Sequence, residues 1–254
     1  MLKTQSLQQA RSARRALSKD TFEGFVTDLI GSHLERQTGE QAFLVEQAAN
    51  WVTPPHYHLE HQFQIVIAGN GTIGRHQVGP LSVHYAAPET GYGPVAAGEF
   101  GLTYLNLRVS ADSGAWYLHK PGSRERMQRD LQHEQSHAAS QNRLSGEALA
   151  GLSQTSIESL IEPRADGLAV FLINLAPGQD HQFDCQPGSA GRFYVITQGE
   201  AAISASTLQS LAVVYCPASD QISLQAGAAG AEVLVLQFPL QAGTTLMQRV
   251  AHGA

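Results

Sequence analysis

Charge is scarce in this chain. Asp, Glu, Lys and Arg make up 15% of its 254 residues, against about a quarter in an average globular domain, which argues against charge-laced surface helices. Lys and Arg number 16 against 22 acids, for a formal net charge of −6. The cation density that a general nucleic-acid binder sets against phosphates is therefore missing. No run of 18 apolar residues occurs, and the start shows no apolar core of a secretory signal. Neither a membrane partner nor export is expected, and the cytoplasm is the expected location. Two cysteines, Cys185 and Cys216, without CxxC spacing are too few for a disulfide framework and fit a reducing compartment. There is likewise no P-loop, no GxSxG elbow and no HExxH.

What is present points to strands. The chain has 24 glycines and is 43% hydrophobic, and its length suits one to two domains. Short apolar runs closed by turn residues occur at 43–45, 63–67, 81–83 and 102–109, and again at 169–173, 193–196, 211–215 and 233–236. Runs of this kind predict an all-β protein of two units. Phe63-Gln64-Ile65-Val66-Ile67-Ala68-Gly69 and Phe193-Tyr194-Val195-Ile196-Thr197-Gln198-Gly199 align at one fixed offset, and the turns at Pro88 and Pro217 come at nearly the same interval. This pattern is that of an internal duplication. The expected organisation is an N-terminal arm and lead-in strand over 1–42, a first unit over 43–118, a polar and partly helical linker over 119–165, and a second unit over 166–254. Helical spacing of Leu149, Leu152, Ile157, Leu160 and Ile161 supports the linker helix. The arm is basic, with Lys3, Arg11, Arg14, Arg15 and Lys19 against Asp20 alone, and is expected to be loose or helical.

Histidine is the informative residue. Eleven are present, and only His181 and His252 lie beyond residue 137. The sharpest cluster is Pro54-Pro55-His56-Tyr57-His58-Leu59-Glu60-His61-Gln62, running into the strand at Phe63. Residues i and i+2 of an extended strand share a face, so His56 and His58 present two imidazoles together, half of a site for Fe, Ni, Cu or Zn. The competing account is two polar residues on a solvated face. Gly69-Asn70-Gly71-Thr72-Ile73-Gly74 matches GxGxxG, but the next residues, Arg75 to Gly79, read as a strand rather than a helix, so no pyrophosphate site is expected. Asn70-Gly71 instead predicts a hairpin turn. His119, His133 and His137 are expected to be solvated linker residues, the last two at i, i+4 on a possible helix.

His56-x-His58, Gln62 and Gly69 resemble the first motif of the cupins. Gly79, Leu81-Ser82-Val83-His84-Tyr85, Pro88 and Tyr92 resemble the second by pattern. With two units, the chain looks like a bicupin: two double-stranded β-helix (jelly-roll) barrels. The resemblance implies one divalent transition metal (Fe, Ni, Mn or Zn) held by His56, His58 and Gln62, with Tyr92 as ligand or general acid. Gln62 stands where cupins usually carry Glu and Tyr92 where they carry the third His. A neutral amide and a phenol of ordinary pKa about 10 make a weak set. Glu60, His61 and His84 are the available substitutes. Glu60 is expected in the turn and His61 on the opposite face, both outside the barrel, while the direction of His84 stays open. The same offset places Gln186, Gly188 and Arg192 at the positions of His56, His58 and Gln62, and Gln221 follows Pro217 as Tyr92 follows Pro88. The second unit, in which Asp180 and His181 precede the strand, is therefore expected to hold no metal.

Two functions are expected in competition. One is a metal-dependent enzyme acting on a small organic molecule, by oxygenase, isomerase, decarboxylase or lyase chemistry left undetermined. The other is a ligand-binding or sensory cupin without turnover. A storage role finds no support in composition. The partner is a small molecule in either case, and the chain is expected as a monomer or a homodimer.

Overall fold

The computed structural model describes residues 1–32, 39–112, 114–128, 131, 133–183, 189–203 and 206–240. The apolar runs fall in antiparallel strands, as expected. Two sheets of the same order carry them. In the first, the neighbours are Gln135–Ala139, Ser82–Ala86, Gln62–Ile73, Val95–Arg108, Gln41–Gln47, Phe22–Ile30 and Arg14–Lys19. In the second they are Lys3–Ser6, Ala212–Cys216, Ser189–Ile203, Ser223–Pro239, Ala169–Leu175 and Ser156–Ile161. The duplication extends to backbone detail. Gly69 and Gly199 have φ of 77° and 76°, and in each a Cβ would stand 2.2 Å from a carbonyl oxygen across the ladder, that of Gly101 or Gly230. No L side chain fits either place, so both glycines are required by the same close approach of backbones.

Each barrel's central strands are buried on both faces. In Gln62–Ile73, Phe63 and Ile65 face the second barrel, where they pack with Leu105, Leu107, Phe193, Leu236 and Phe238. The rings of Phe63 and Phe238 meet edge to face at 4.7 Å. The alternate residues of the same strand point into the first barrel. The corresponding interior of the second barrel is packed with Tyr194, Ile196, Val214, Cys216, Val233 and Val235. The first is different: beside Val45, Val66 and Leu102, it buries His56, His58, Gln62, Gln64, His84, Asn106, Arg108 and Asp112. Buried polar groups must find partners inside the protein, and most of these find one another.

Four local expectations are corrected. The strand Gln62–Ile73 runs straight through Asn70-Gly71, and the turn lies at Gly74-Arg75, since Ile73 pairs with His76; the small residues at 69–71 serve a close backbone approach instead. The helical spacing over 149–161 divides into a short helix, Gly146–Ala150, capped by Ser145, and a strand, Ser156–Ile161. Pairing of Ile157 and Ile161 along Ala169–Leu175 overrides the local period, as β-branched residues on a half-buried sheet favour. Gln135–Ala139 is not helical either; it adds an edge strand to Ser82–Ala86 and sets His137 opposite His84. The basic start is helical over Leu7–Ala10 and Arg11–Ala13 but strand on either side: Lys3–Ser6 completes the second sheet while Arg14–Lys19 completes the first. Arg14 pairs with Glu46 and stacks on Phe25, and Arg15 pairs with Asp28. Among the described residues no helix is long and apolar enough to cross a membrane.

Candidate functional site

Backbone pairing puts the first motif in place. His56 and Tyr92 exchange both main-chain hydrogen bonds, at 3.1 and 2.9 Å. The next residues are held by Glu89 N–H on the His58 carbonyl (2.7 Å) and by the Tyr57 hydroxyl on the Ser123 carbonyl (2.8 Å). The sequence-predicted residues His56, His58, Gln62 and Tyr92 are thereby brought together, all buried. The imidazoles of His56 and His58 meet edge to face at 5.3 Å.

The hydrogen-bond directions follow from which atoms can only accept. Pro54 O accepts from His56 Nδ1 (2.8 Å), so the His56 Nε2 lone pair is free to accept from the Tyr92 hydroxyl (2.9 Å). Tyr92 in turn accepts from Gln62 Nε2 (2.8 Å). The remaining atom of that amide, Gln62 Oε1, points at the guanidinium of Arg108, which donates to it from Nε (3.0 Å) and from Nη2. Arg108 Nη1 donates to Gln41 Oε1 (3.1 Å), and Nη2 lies 3.2 and 3.5 Å from the two nitrogens of His58. His58 Nδ1 donates to Asp112, whose carboxylate also accepts from the backbone N–H groups of Leu59 (3.0 Å) and Gly114 (3.1 Å). Arg108 and Asp112 stand 3.9 Å apart.

The charges of this network cancel. Burial opposes ionisation of Asp112, but His58 and Arg108 outweigh it and hold the carboxyl well below the usual carboxylate range. Burial and the neighbouring His58 push His56 down to about 3. Burial and Arg108 also lower His58. Burial raises the Tyr92 phenol well above its ordinary value. At neutral pH this network holds one cation, Arg108, one anion, Asp112, and uncharged imidazoles. Such an arrangement can bind or polarise an acceptor, and His58 Nε2 can accept a proton or a hydrogen bond.

Arg108 and Asp112 are not among the residues that the sequence singles out. The signal for Arg108 is the alternation Leu105-Asn106-Leu107-Arg108, which turns Asn106 and Arg108 away from the face of the two leucines. Nothing local marks Asp112. Of the three substitutes, Glu60 lies in the bend before Gln62–Ile73, as expected, and is buried there. His61 is half-buried, its ring stacked on Tyr85 with Nδ1 2.7 Å from the hydroxyl. His84 faces inward, its ring 4.8 Å from that of Tyr92 and its Nδ1 2.8 Å from Gln64 Oε1. His119 and His133 are exposed, as expected, but His137 is half-buried and stacks on His84 and His76 at 4.4 and 3.7 Å.

In the second barrel Arg192 is fully buried, its Nε donating to the Tyr194 hydroxyl (2.6 Å) and Nη2 to the Asp220 carbonyl (2.8 Å). Gln221 is exposed and accepts from Gln182. Gln186 and Gly188 lie outside the described residues.

No protein-family model matches the sequence, and no curated protein matches it significantly. Solved structures do match the fold. A candidate dioxygenase from Nostoc punctiforme superposes at a TM-score of 0.61 with 12% identity, covering 96% of this chain and 85% of its own. The oxalate decarboxylase of Lactobacillus farciminis superposes at 0.60 with 13% identity, covering 99% and 90%. This chain has the bicupin fold. The pirin YhhW of Escherichia coli, solved in complex with nickel(II), superposes at 0.57 with 10% identity, covering 95% of the bicupin chain and 100% of its own. At such identities the likeness is one of fold.

Nickel in that neighbour poses the question of fit for this chain. His56 and His58 have the form of metal ligands: each ties Nδ1 to a carbonyl or carboxylate oxygen, leaving Nε2 unprotonated. The other donors do not fit a divalent ion. Gln62 Oε1 is held in the fork of Arg108, and Tyr92 remains a neutral phenol that already donates to His56. An ion on His58 Nε2 would stand beside a guanidinium nitrogen that lies 3.5 Å from that atom. At about 4 Å and an effective dielectric constant of about 20, a +2 charge beside a +1 charge costs about 8 kcal/mol. Among the described residues no three His, Cys, Asp or Glu side chains converge as an ion requires.

Proposed function

We propose that this bicupin binds a small organic molecule at its first barrel without a bound metal, Arg108 serving as the fixed cation of the site. The observation that carries this reading is the Arg108 guanidinium itself, which donates to Gln62 and Gln41 and lies beside His58, so that it stands among the residues expected to hold the ion, His58 and Gln62. A preorganised guanidinium in a water-poor interior stabilises negative charge on a ligand more strongly than it could at a surface. The second barrel is filled mainly by apolar side chains, its buried Arg192 held by Tyr194 and the Asp220 carbonyl, which supports a structural role for that half. Cytoplasmic location is part of the reading, in keeping with Cys216 as a free, buried thiol, as is a monomer or homodimer, which sedimentation would decide.

The second reading is a metal-dependent enzyme of oxygenase, isomerase or lyase type with His56, His58, Gln62 and Tyr92 at its centre. The orientation of the two imidazoles favours it. Metal analysis of the full chain, purified without chelator and after equilibration with nickel(II) and zinc(II), separates the two. The proposed function predicts far less than one ion per chain, unchanged in His56→Ala. One ion per chain that is lost in His56→Ala contradicts it.

A further inference from the structure

Outside the closed network lies a cavity of about 420 Å³, between the Gly74-Arg75 turn, the loop at Gly91–Gly93 and the edge strand Gln135–Ala139. Its polar wall is Arg75, His76, Gln135 and His137, its apolar wall Ile73, and its inner side is Tyr92. Among the described residues no carboxylate lines it. Arg75 is exposed, its Nε 3.5 Å from His76 Nε2, and it has no ion pair among the described residues. His137 makes the second, independent observation. Both of its ring nitrogens are buried and meet no hydrogen-bond partner among the described residues, while its ring is clamped between His76 and His84. Leaving such atoms unpaired is costly, and a small turn of the ring that uncovers one nitrogen to the cavity would let a ligand acceptor relieve that cost. Tyr92 joins the cavity to the interior, since the residue that forms its wall also bonds His56 and Gln62.

We propose that this cavity is a binding site for a small organic carboxylate, its charge held by Arg75 and a ring N–H of His137 and its apolar body against Ile73 and the Tyr92 ring. The inference rests on the reading that the first barrel serves a small molecule, and it adds the place and the charge of that molecule. Arginine suits a carboxylate because its planar fork matches two oxygens at once. Ligand arrival at Tyr92 reaches Arg108 through one hydroxyl and one amide.

The test is calorimetric titration of the full chain with benzoate and with benzamide, which has nearly the same shape and no charge. Benzoate is expected to bind at least about tenfold more tightly than benzamide, a difference of about 1.4 kcal/mol. Arg75→Gln, a change at an exposed position, is expected to remove that preference and leave the melting temperature unaltered. His137→Phe, which keeps the stack but no nitrogen, is expected to weaken benzoate several-fold. Equal binding of the two probes, binding of neither, or a preference that survives Arg75→Gln would each overturn the site. A metal-free preparation that ignores benzoate overturns this site and leaves the proposed function standing. One metal per chain with the Arg75-dependent preference intact overturns the proposed function and supports the site.

Discussion

Replacing Arg108 by Met removes the cation of the first barrel while keeping a side chain of similar length. Gln62 Oε1 then loses its donor, Gln41 Oε1 keeps only the long bond from Asp112 N–H (3.4 Å), and Asp112 keeps its bonds to His58, Leu59 and Gly114 but loses the guanidinium 3.9 Å away. Each unpaired buried acceptor costs about 1–3 kcal/mol, and breaking a buried ion pair by removing one partner costs about 3–5 kcal/mol. These terms overlap, because Gln62 can turn its amide and His58 can take up a proton. The net loss is therefore about 3–5 kcal/mol, or roughly 6–20 °C of melting temperature at the scaling for domains of 150–250 residues. Calorimetry and urea titration at pH 7.5 measure it. The same substitution removes the repulsion of about 8 kcal/mol that opposes an ion, so nickel(II) or zinc(II) is expected to bind Arg108→Met far more tightly than the wild type. Arg108→Lys keeps the charge and loses the fork, so it should destabilise and still reject the ion, which preserves the test if the Met variant fails to fold. Destabilisation under about 1 kcal/mol together with unchanged metal affinity would refute the reasoning.

Three further outcomes are expected. Tyr92→Phe leaves His56 Nε2 without a donor and Gln62 Nε2 without an acceptor, and should cost about 2–4 kcal/mol in urea unfolding. Stability should fall below neutral pH: His56 and His84 are pushed down to about 3, largely by burial, so the unfolded chain binds more protons between that value and about 6.5. Their contribution is full above about 6.5 and is lost as pH falls, by about 2 kcal/mol per imidazole at pH 5. Burial raises Glu232, which works the other way, so the comparison of melting at pH 7.5 and pH 5 is best made in Glu232→Gln. Phe63→Ala opens the contact with Phe238 between the barrels and should cost about 3–5 kcal/mol. Because that core is continuous across both sheets, unfolding should remain a single transition by circular dichroism and fluorescence alike.

What can be read from sequence is what local spacing determines. The period-two runs mark the strands, and the offset between Phe63 and Phe193 marks the duplication, because side-chain alternation and fold repeats are written within a few residues. His56, His58, Gln62 and Tyr92 are legible for the same reason. Arg108 and Asp112 are not, since His58 and Asp112 lie 54 residues apart and meet only through the register of the sheet. An arginine in an apolar strand is the one local hint, because such a residue is almost never fully buried unless paired. The turn at Asn70-Gly71 and the helical spacing from Ile157 to Ile161 fail where tertiary pairing overrides local chemistry. The edge strands Lys3–Ser6 and Gln135–Ala139 escape notice because their polar sequences become strands only beside Ala212–Cys216 and Ser82–Ala86.

Anomalous diffraction at the nickel edge, from crystals of the full chain grown with nickel(II), tests the central claim most directly. The account predicts no anomalous peak within bonding distance of His56 and His58, and density for the Arg108 guanidinium on Gln62 Oε1. A peak bonded to both imidazoles, with Arg108 swung away from Gln62, would contradict it.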